Sequence, residues 1–127
     1  MSIWNEMQVA DRILAILREE VYPQEDHHFG RPFLTAYQIA IELHRRHSEI
    51  ATRLDHPIGG RDTGLPYSLA QYVGRELSRR IPEELPQIEG GFLSNTHLAN
   101  IVFNFEDGQI ESSLTDTQYG VSMYRLR

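Results

Sequence analysis

Four polar side chains fall on one face of a predicted helix over residues 69–81 and could read the edges of DNA bases. Because an α-helix has 3.6 residues per turn, one side of this helix carries Gln71, Arg75, Ser78 and Arg79. Glutamine pairs with adenine, and arginine with guanine, through bidentate hydrogen bonds in the major groove. Phosphate contacts would come from Arg45, Arg46, Arg53 and Arg80. This set predicts a surface for double-stranded DNA.

Three aromatic side chains predict a second kind of surface, one that binds protein. Tryptophan and tyrosine are enriched at protein interfaces, and we expect exposed rings at Trp4, Tyr119 and Tyr124. Trp4 belongs to the first predicted helix, and the two tyrosines belong to the last predicted strand. A partner protein, or a second copy of the chain, would contact these rings. For the DNA-binding alternative, the expectation is a dimer through the first helix.

Other residues could instead indicate a metal site, a phosphate-binding loop or a catalytic nucleophile. His44 and His47 lie one helical turn apart and could bind a metal, but no cysteine and no H-E-x-x-H pattern accompanies them. The adjacent pair His27 and His28 lies in a predicted loop. The stretch "IGGRDTG" (58–64) lacks the ending of a P-loop, and no serine has the flanking glycines of a nucleophile elbow. We expect no metal, no cofactor, no small-molecule substrate and no enzymatic activity.

Charge is distributed unevenly along the chain. The net charge is −6, and all 12 fixed positive charges are arginine. Residues 31–81 hold eight arginines against five acids, whereas acids outnumber arginines in the segments on either side. A local basic region matters more for phosphate contact than the total. The middle segment therefore favours DNA, and the total charge favours a protein partner.

Length and composition indicate a small intracellular protein. The 127 residues fit a single domain over residues 1–127. Charges occur throughout residues 1–20, which argues against a signal peptide. No apolar run approaches the roughly 20 residues that span a bilayer. We expect a cytoplasmic, bacterial protein that does not contact membranes.

Three helices must position the candidate side chains. Apolar spacing predicts them over residues 3–21, 36–54 and 69–81. Thr35 with Gln38, and Ser68 with Gln71, fit the capping box, in which each pair exchanges side-chain and backbone hydrogen bonds. The sequence therefore predicts that the second helix begins after Thr35 and the third after Ser68.

Strands are predicted in the last third of the chain. Residues 83–92 read as a loop, and residues 94–105 fit both a helix and a strand, with a strand from about Ala99 favoured. Asp107 and Gly108 form a strong hairpin-turn signal. Further strands are predicted at 109–114 and 118–126, joined by a turn at "TDTQ".

This order of elements resembles the winged helix-turn-helix superfamily over roughly residues 5–126. The resemblance implies an α+β fold, with a three-helix winged-helix-like body followed by a C-terminal antiparallel β-hairpin. In that family the helix before the wing lies in the DNA major groove and the hairpin contacts the DNA backbone or minor groove. Carried onto this chain, helix 69–81 would read DNA, and Ser68 with the helix N-terminus could meet a phosphate.

The predicted wing, residues 107–118, carries three acids and no arginine: Asp107, Glu111 and Asp116. Such a wing would repel phosphate, and it fits the members of the superfamily that bind proteins instead of DNA. We therefore expect a non-enzymatic protein-interaction or adaptor module on a winged-helix-like scaffold. The alternative is a DNA-binding transcriptional regulator that uses helix 69–81.

Overall fold

The computed structural model describes residues 2–21, 28–55, 58, 68–106, 108–113 and 121–127. Its helices are α1 (Ile3–Glu6), α2 (Val9–Glu19), α3 (Ala36–Arg46), α4 (Ser48–Leu54) and α5 (Leu69–Arg80). Its strands are β1 (Leu34–Thr35), β2 (Ile88–Leu93), β3 (Asn100–Phe105), β4 (Gly108–Ser113) and β5 (Val121–Leu126). Helices and antiparallel strands share one chain, so the prediction of an α+β fold is confirmed.

The first predicted helix is broken into two. Ser2 caps α1 by accepting a hydrogen bond from the backbone N–H of Asn5. Gln8 adopts a left-handed backbone conformation, with φ of 53°, and α2 begins directly after it. Trp4, in the short helix before the break, is buried. The prediction of one helix over 3–21 was therefore wrong at Gln8.

The second predicted helix is also broken. The backbone of His47 is non-helical, with φ of −142° and ψ of 65°, and it separates α3 from α4. The N–H of His47 still donates to the carbonyl of Leu43, at 2.7 Å. A continuous apolar pattern therefore concealed a bend, because both segments bury their apolar residues in the same core.

Capping explains where α3 and α5 begin. Thr35 accepts from the N–H of Gln38, and the side chain of Gln38 accepts from the N–H of Thr35, which completes the predicted capping box. Ser68 accepts from the N–H of Gln71, whereas the reciprocal bond to the described Ser68 N–H is not formed. The first box is confirmed in full and the second only in its Ser68 half.

The strands form two separate sheets. A three-stranded sheet has the order β1-β5-β2, with β5 antiparallel to both neighbours, and β3 pairs with β4 in a two-stranded sheet. The predicted strand from about Ala99 is confirmed as β3. The predicted loop over 83–92 was wrong in part, because β2 begins at Ile88. Gly90 and Gly91 have little strand propensity, and pairing with β5 holds them extended.

The predicted C-terminal hairpin was wrong. β4 pairs with β3 and not with β5, and β5 lies between β1 and β2 in the other sheet. Buried side chains explain this choice, because Tyr124 of β5 is only 2% exposed within the helical core. The predicted "TDTQ" turn and Asp107 lie outside the described residues.

One hydrophobic core joins the helices to the larger sheet. Leu43 of α3 and Leu77 of α5 are fully buried, as is Ile88 of β2. The apolar stripe predicted for α5 is buried at Leu69, Val73 and Leu77. The opposite face of α5 is consequently the one turned to solvent.

Candidate interaction surfaces

The outward face of α5 is built as the sequence predicts. Gln71, Arg75, Ser78 and Arg79 are all exposed, because the buried positions of the helix occupy the other side. Arg75 makes no ion pair with any described residue. Arg79 is paired with Glu76 at 2.5 Å, although its side chain is still 65% exposed. Among the described residues, this face therefore carries one arginine without an acidic partner and one paired arginine.

The arginines of α3 are also paired with carboxylates. The carboxylate of Glu42 accepts from Arg45 at 2.7 Å and from Arg46 at 2.9 Å. Arg46 also pairs with Glu19 of α2. The predicted phosphate contacts at Arg45 and Arg46 are thus directed at acids of the same chain. The predicted phosphate ligand Arg53 likewise pairs with Glu6, at 2.8 Å.

The spacing of glutamate and arginine in α3 recurs in α5, and it predicts ion pairs within each helix that the expected phosphate contacts did not take into account. The segments "ELHRR" (42–46) and "ELSRR" (76–80) each place arginines three and four residues after a glutamate. In "ELSRR" the carboxylate of Glu76 accepts hydrogen bonds from Arg79 and Arg80. Glu42 is bound in the same way by the two arginines that follow it. Residues three and four apart are neighbours on a helix, so the signal for these ion pairs was present in the sequence.

Two of the three predicted interface aromatics lie in the core. Trp4 is 4% exposed and contacts the ring of Tyr72 edge-on, with 6.2 Å between ring centroids. Tyr124 is 2% exposed, and its hydroxyl donates to the carbonyl of Gly74 at 3.3 Å. The prediction of exposed rings at both positions was therefore wrong. Tyr119 lies outside the described residues.

The described residues expose six large apolar side chains. Two of them, Val21 and Phe29, precede β1 in the chain. The other four lie on β2 and around the β3–β4 hairpin: Phe92, Leu93, Leu98 and Val102, with Phe92 62% and Val102 52% exposed. We call these four residues the apolar surface.

The β3–β4 hairpin is attached to α3 through one aromatic pair. The ring of Phe103 stacks on Tyr37, with 5.2 Å between centroids and 12° between planes. A cleft of about 340 Å³ separates the end of the hairpin from α3 next to Glu42 and Arg45. Residues 94–113 contain no arginine or lysine, so the hairpin offers no fixed positive charge.

His44, in α3, and His47, at the break between α3 and α4, lie in different surroundings. The ring of His47 contacts the guanidinium of Arg12, and Glu49 lies 3.9 Å away. His44 Nδ1 is buried and has no hydrogen-bond partner among the described residues. Among the described residues no three histidine, cysteine, aspartate or glutamate side chains come together as a metal site would require. His27 and most of "IGGRDTG" lie outside the described part of the chain.

Acidification is expected to destabilise the protein in two steps. Burial, helped by the charge of Arg12, lowers the pKa of His47 below 6.5. As the pH drops, His47 is therefore protonated in the unfolded chain before it is protonated in the folded protein. The free energy of unfolding consequently falls as the pH drops from about 6.5 through the lowered pKa. A hydrogen bond from Arg45 lowers the pKa of Glu42 below 4.5. This stabilisation is complete above about pH 4.5 and is lost as the pH falls through the lowered value.

Urea unfolding between about pH 7.5 and pH 3.5 would measure both steps. His47→Gln should remove the upper step and leave the lower one. Glu42→Gln should reduce the lower step and leave the upper one. An unchanged upper step in His47→Gln would contradict the assignment of that step to His47.

Comparison with protein-family models, curated proteins and solved structures found no significant match. In the described residues no helix combines the length and apolar character that crossing a bilayer requires. The surfaces described above are consequently the basis for assigning a function.

Proposed function

We propose that this protein is a non-enzymatic protein-interaction module on a winged-helix-like scaffold. The pairing of arginines with glutamates on α3 and α5 carries the proposal. Each of Glu42 and Glu76 neutralises part of a basic cluster that would otherwise face outwards. Exposed side chains that bind DNA phosphates need their positive charge available to displace counterions.

The arrangement of β2 and β5 supports the winged-helix-like scaffold. These two strands follow α5 in the chain and pair antiparallel over six residues each. They act as the two arms of an enlarged wing, and the β3–β4 hairpin belongs to the connection between them. The wing of this proposal is therefore larger than residues 107–118 and includes the apolar surface.

Charge and exposed apolar area favour protein over DNA as the partner. The connection between β2 and β5 exposes Glu106 and places no arginine or lysine in its described residues. A DNA backbone would be repelled there, whereas exposed apolar groups near a wing suit a protein interface. His47, the side chain best placed for metal or acid–base chemistry, is engaged by Arg12. A non-enzymatic role fits these contacts.

A DNA-binding regulator is the alternative, and one observation favours it. Gln71, Arg75 and Ser78 share the exposed face of α5, and Arg75 has no acidic partner among the described residues. Gln71 has the geometry to pair with adenine, and Arg75 with guanine. This face would be the one to enter the major groove.

Binding to a mixed genomic DNA pool separates the two functions. We expect wild-type protein to bind weakly at about 20 mM salt and not at about 150 mM, with little change in Arg75→Ala/Arg79→Ala. The matched variant Glu42→Gln/Glu76→Gln removes the described acidic partners of Arg45 and Arg79, while Arg46 stays paired with Glu19 and Arg80 with Glu84. It should gain salt-dependent binding. Strong wild-type binding that the double alanine variant abolishes would make the DNA-binding function correct and the module proposal wrong.

The partner itself can be sought by cross-linking in cell extract. A partner recovered with wild type should be retained by Arg75→Ala/Arg79→Ala and lost in Leu98→Arg/Val102→Arg. The reverse pattern would place the contact on α5 and contradict the proposed surface.

A further inference from the structure

The outer edge of β2 is open among the described residues. β2 pairs with β5 on one side and with no described strand on the other. Its register with β5 is continuous over all six residues, without a bulge. The strand also lacks the lysine, proline or bulge by which proteins commonly block an open edge. This edge is suited to pairing with another strand.

The hydrogen-bond pattern identifies which backbone groups face the open edge. The N–H of Arg127 donates to the carbonyl of Gln87 at 3.0 Å, so this pair is hydrogen-bonded. Opposed residues alternate between bonded and non-bonded pairs along an antiparallel ladder. Gly90, opposite Tyr124, therefore directs its N–H and carbonyl away from β5. The N–H of Ile88 points the same way and is taken by the carbonyl of Leu85 at 3.0 Å.

From this edge we propose that a second copy of the chain pairs antiparallel with β2 about a two-fold axis at Gly90. The inference rests on the proposed interaction function and names the chain itself as one partner. The two Gly90 residues would exchange N–H···O bonds, because both direct these groups to the edge. The two sheets would become one six-stranded sheet.

The side-chain pattern of β2 is complementary to itself about Gly90. An antiparallel pair centred there places Ile88 opposite Phe92 of the second copy, and Glu89 opposite Gly91 of the second copy. Phe92 of the second copy is therefore placed at an apolar position, where the Ile88 side chain is already buried, and no acid directly faces an acid. This matters for a chain with a net charge of −6, because like charges directly opposite each other destabilise a sheet.

A groove on the helical side of β2 offers space for the incoming Phe92. It has a volume of about 490 Å³ and is lined by Ile81, Pro82, Gly90 and Tyr124, among others. A Cβ at position 90 would lie 3.6 Å from the ring of Tyr124 and 3.7 Å from Ile81. The missing side chain at Gly90 thus keeps the groove open. Phe92, 62% exposed on the same face of the strand, is the side chain that the second copy would insert.

Two substitutions at Gly91 test the pairing with a matched control. A Cβ at position 91 meets no atom within 4 Å, so either side chain fits the monomer. Gly91→Glu would face Glu89 of the second copy, whereas Gly91→Lys would form an ion pair with it, twice per dimer. Sedimentation equilibrium at low salt should find wild type dimeric at about 100 μM. The dimer dissociation constant of Gly91→Glu should exceed that of Gly91→Lys by about tenfold or more.

Disulfide trapping tests the register, because the chain has no cysteine of its own. In the proposed register residues 89 and 91 form a non-bonded pair with Cα atoms about 4.5 Å apart, close enough for a disulfide. An oxidised mixture of Glu89→Cys and Gly91→Cys should yield cross-linked heterodimer, and neither variant alone should cross-link efficiently. Efficient trapping of Gly91→Cys with itself would overturn the register.

Wild type that remains monomeric at about 100 μM, or equal dissociation constants for the two Gly91 variants, would overturn the proposal. That failure is distinguishable from failure of the proposed function. If the protein is monomeric but still binds a partner protein through Leu98 and Val102, the proposed interaction function holds and only the proposed dimer is wrong. If the protein is dimeric but binds DNA through Arg75, the proposed strand pairing holds and the proposed interaction function is wrong.

Discussion

Replacing Trp4 with alanine is expected to lower the free energy of unfolding by about 3–5 kcal/mol. The indole is 4% exposed and fills the space between α1 and α5. It contacts the ring of Tyr72 edge-on, and the guanidinium of Arg80 lies 4.7 Å from its centroid. The substitution removes all of these contacts and leaves a cavity that the short helix α1 can close only in part.

The measurement is urea unfolding followed by far-UV circular dichroism, because Trp4 is the chain's only tryptophan and its fluorescence is lost with it. Trp4→Phe keeps an aromatic ring and should cost less. A cycle of Trp4→Leu with Arg80→Gln isolates the cation–π contact, because leucine has no aromatic ring, and a coupling of about 0.5–2 kcal/mol is expected. A loss below about 1 kcal/mol in Trp4→Ala would contradict the burial of this ring.

Tyr124→Ala should have a comparable effect, also about 3–5 kcal/mol. Tyr124 lies in the middle of the three-stranded sheet, between Leu34 and Gly90. Its hydroxyl reaches α5, where it donates to the carbonyl of Gly74, and Ser78 lies 3.4 Å away. The ring thus connects the sheet to the helix, and its removal affects both.

Tyr124→Phe is the matched control. It keeps the ring and removes the hydroxyl, so the expected loss is only about 0.5–1.5 kcal/mol. Both variants can be followed by urea unfolding with Trp4 fluorescence. A loss in Tyr124→Phe as large as in Tyr124→Ala would mean that the hydrogen bond to α5, and not ring packing, dominates.

Local signals predicted the helices best. Thr35 and Ser68 mark the starts of α3 and α5 because capping depends on residues within one turn of each other. The same locality made the exposed face of α5 predictable, since burial of Leu69, Val73 and Leu77 fixes where Arg75 points. The ion pairs within "ELHRR" and "ELSRR" are equally local. Their signal is present in the sequence, because each glutamate lies three and four residues before an arginine.

Breaks in the helices and the pairing of strands were not predictable in the same way. Gln8 and His47 interrupt stretches whose apolar spacing is continuous, so no periodic signal marks them. β2 contains two adjacent glycines, so its sequence predicts a loop. It is a strand because it pairs with β5. The last strand likewise had two possible partners, and its burial against the helices selected β1 and β2 over β4.

The amino-acid sequence alone was enough to predict the starts of α3 and α5, the amphipathic face of α5 and the mixed α+β class, and it favoured a strand over residues 100–105. These features depend on interactions between residues close in the chain, which hydrophobic spacing and capping report directly. Only the tertiary structure decided that Trp4 and Tyr124 are buried, that Arg46 pairs with Glu19, and that β2 leaves an open edge. Each of these depends on residues far apart in the chain, whose meeting is set by the packing of the whole core.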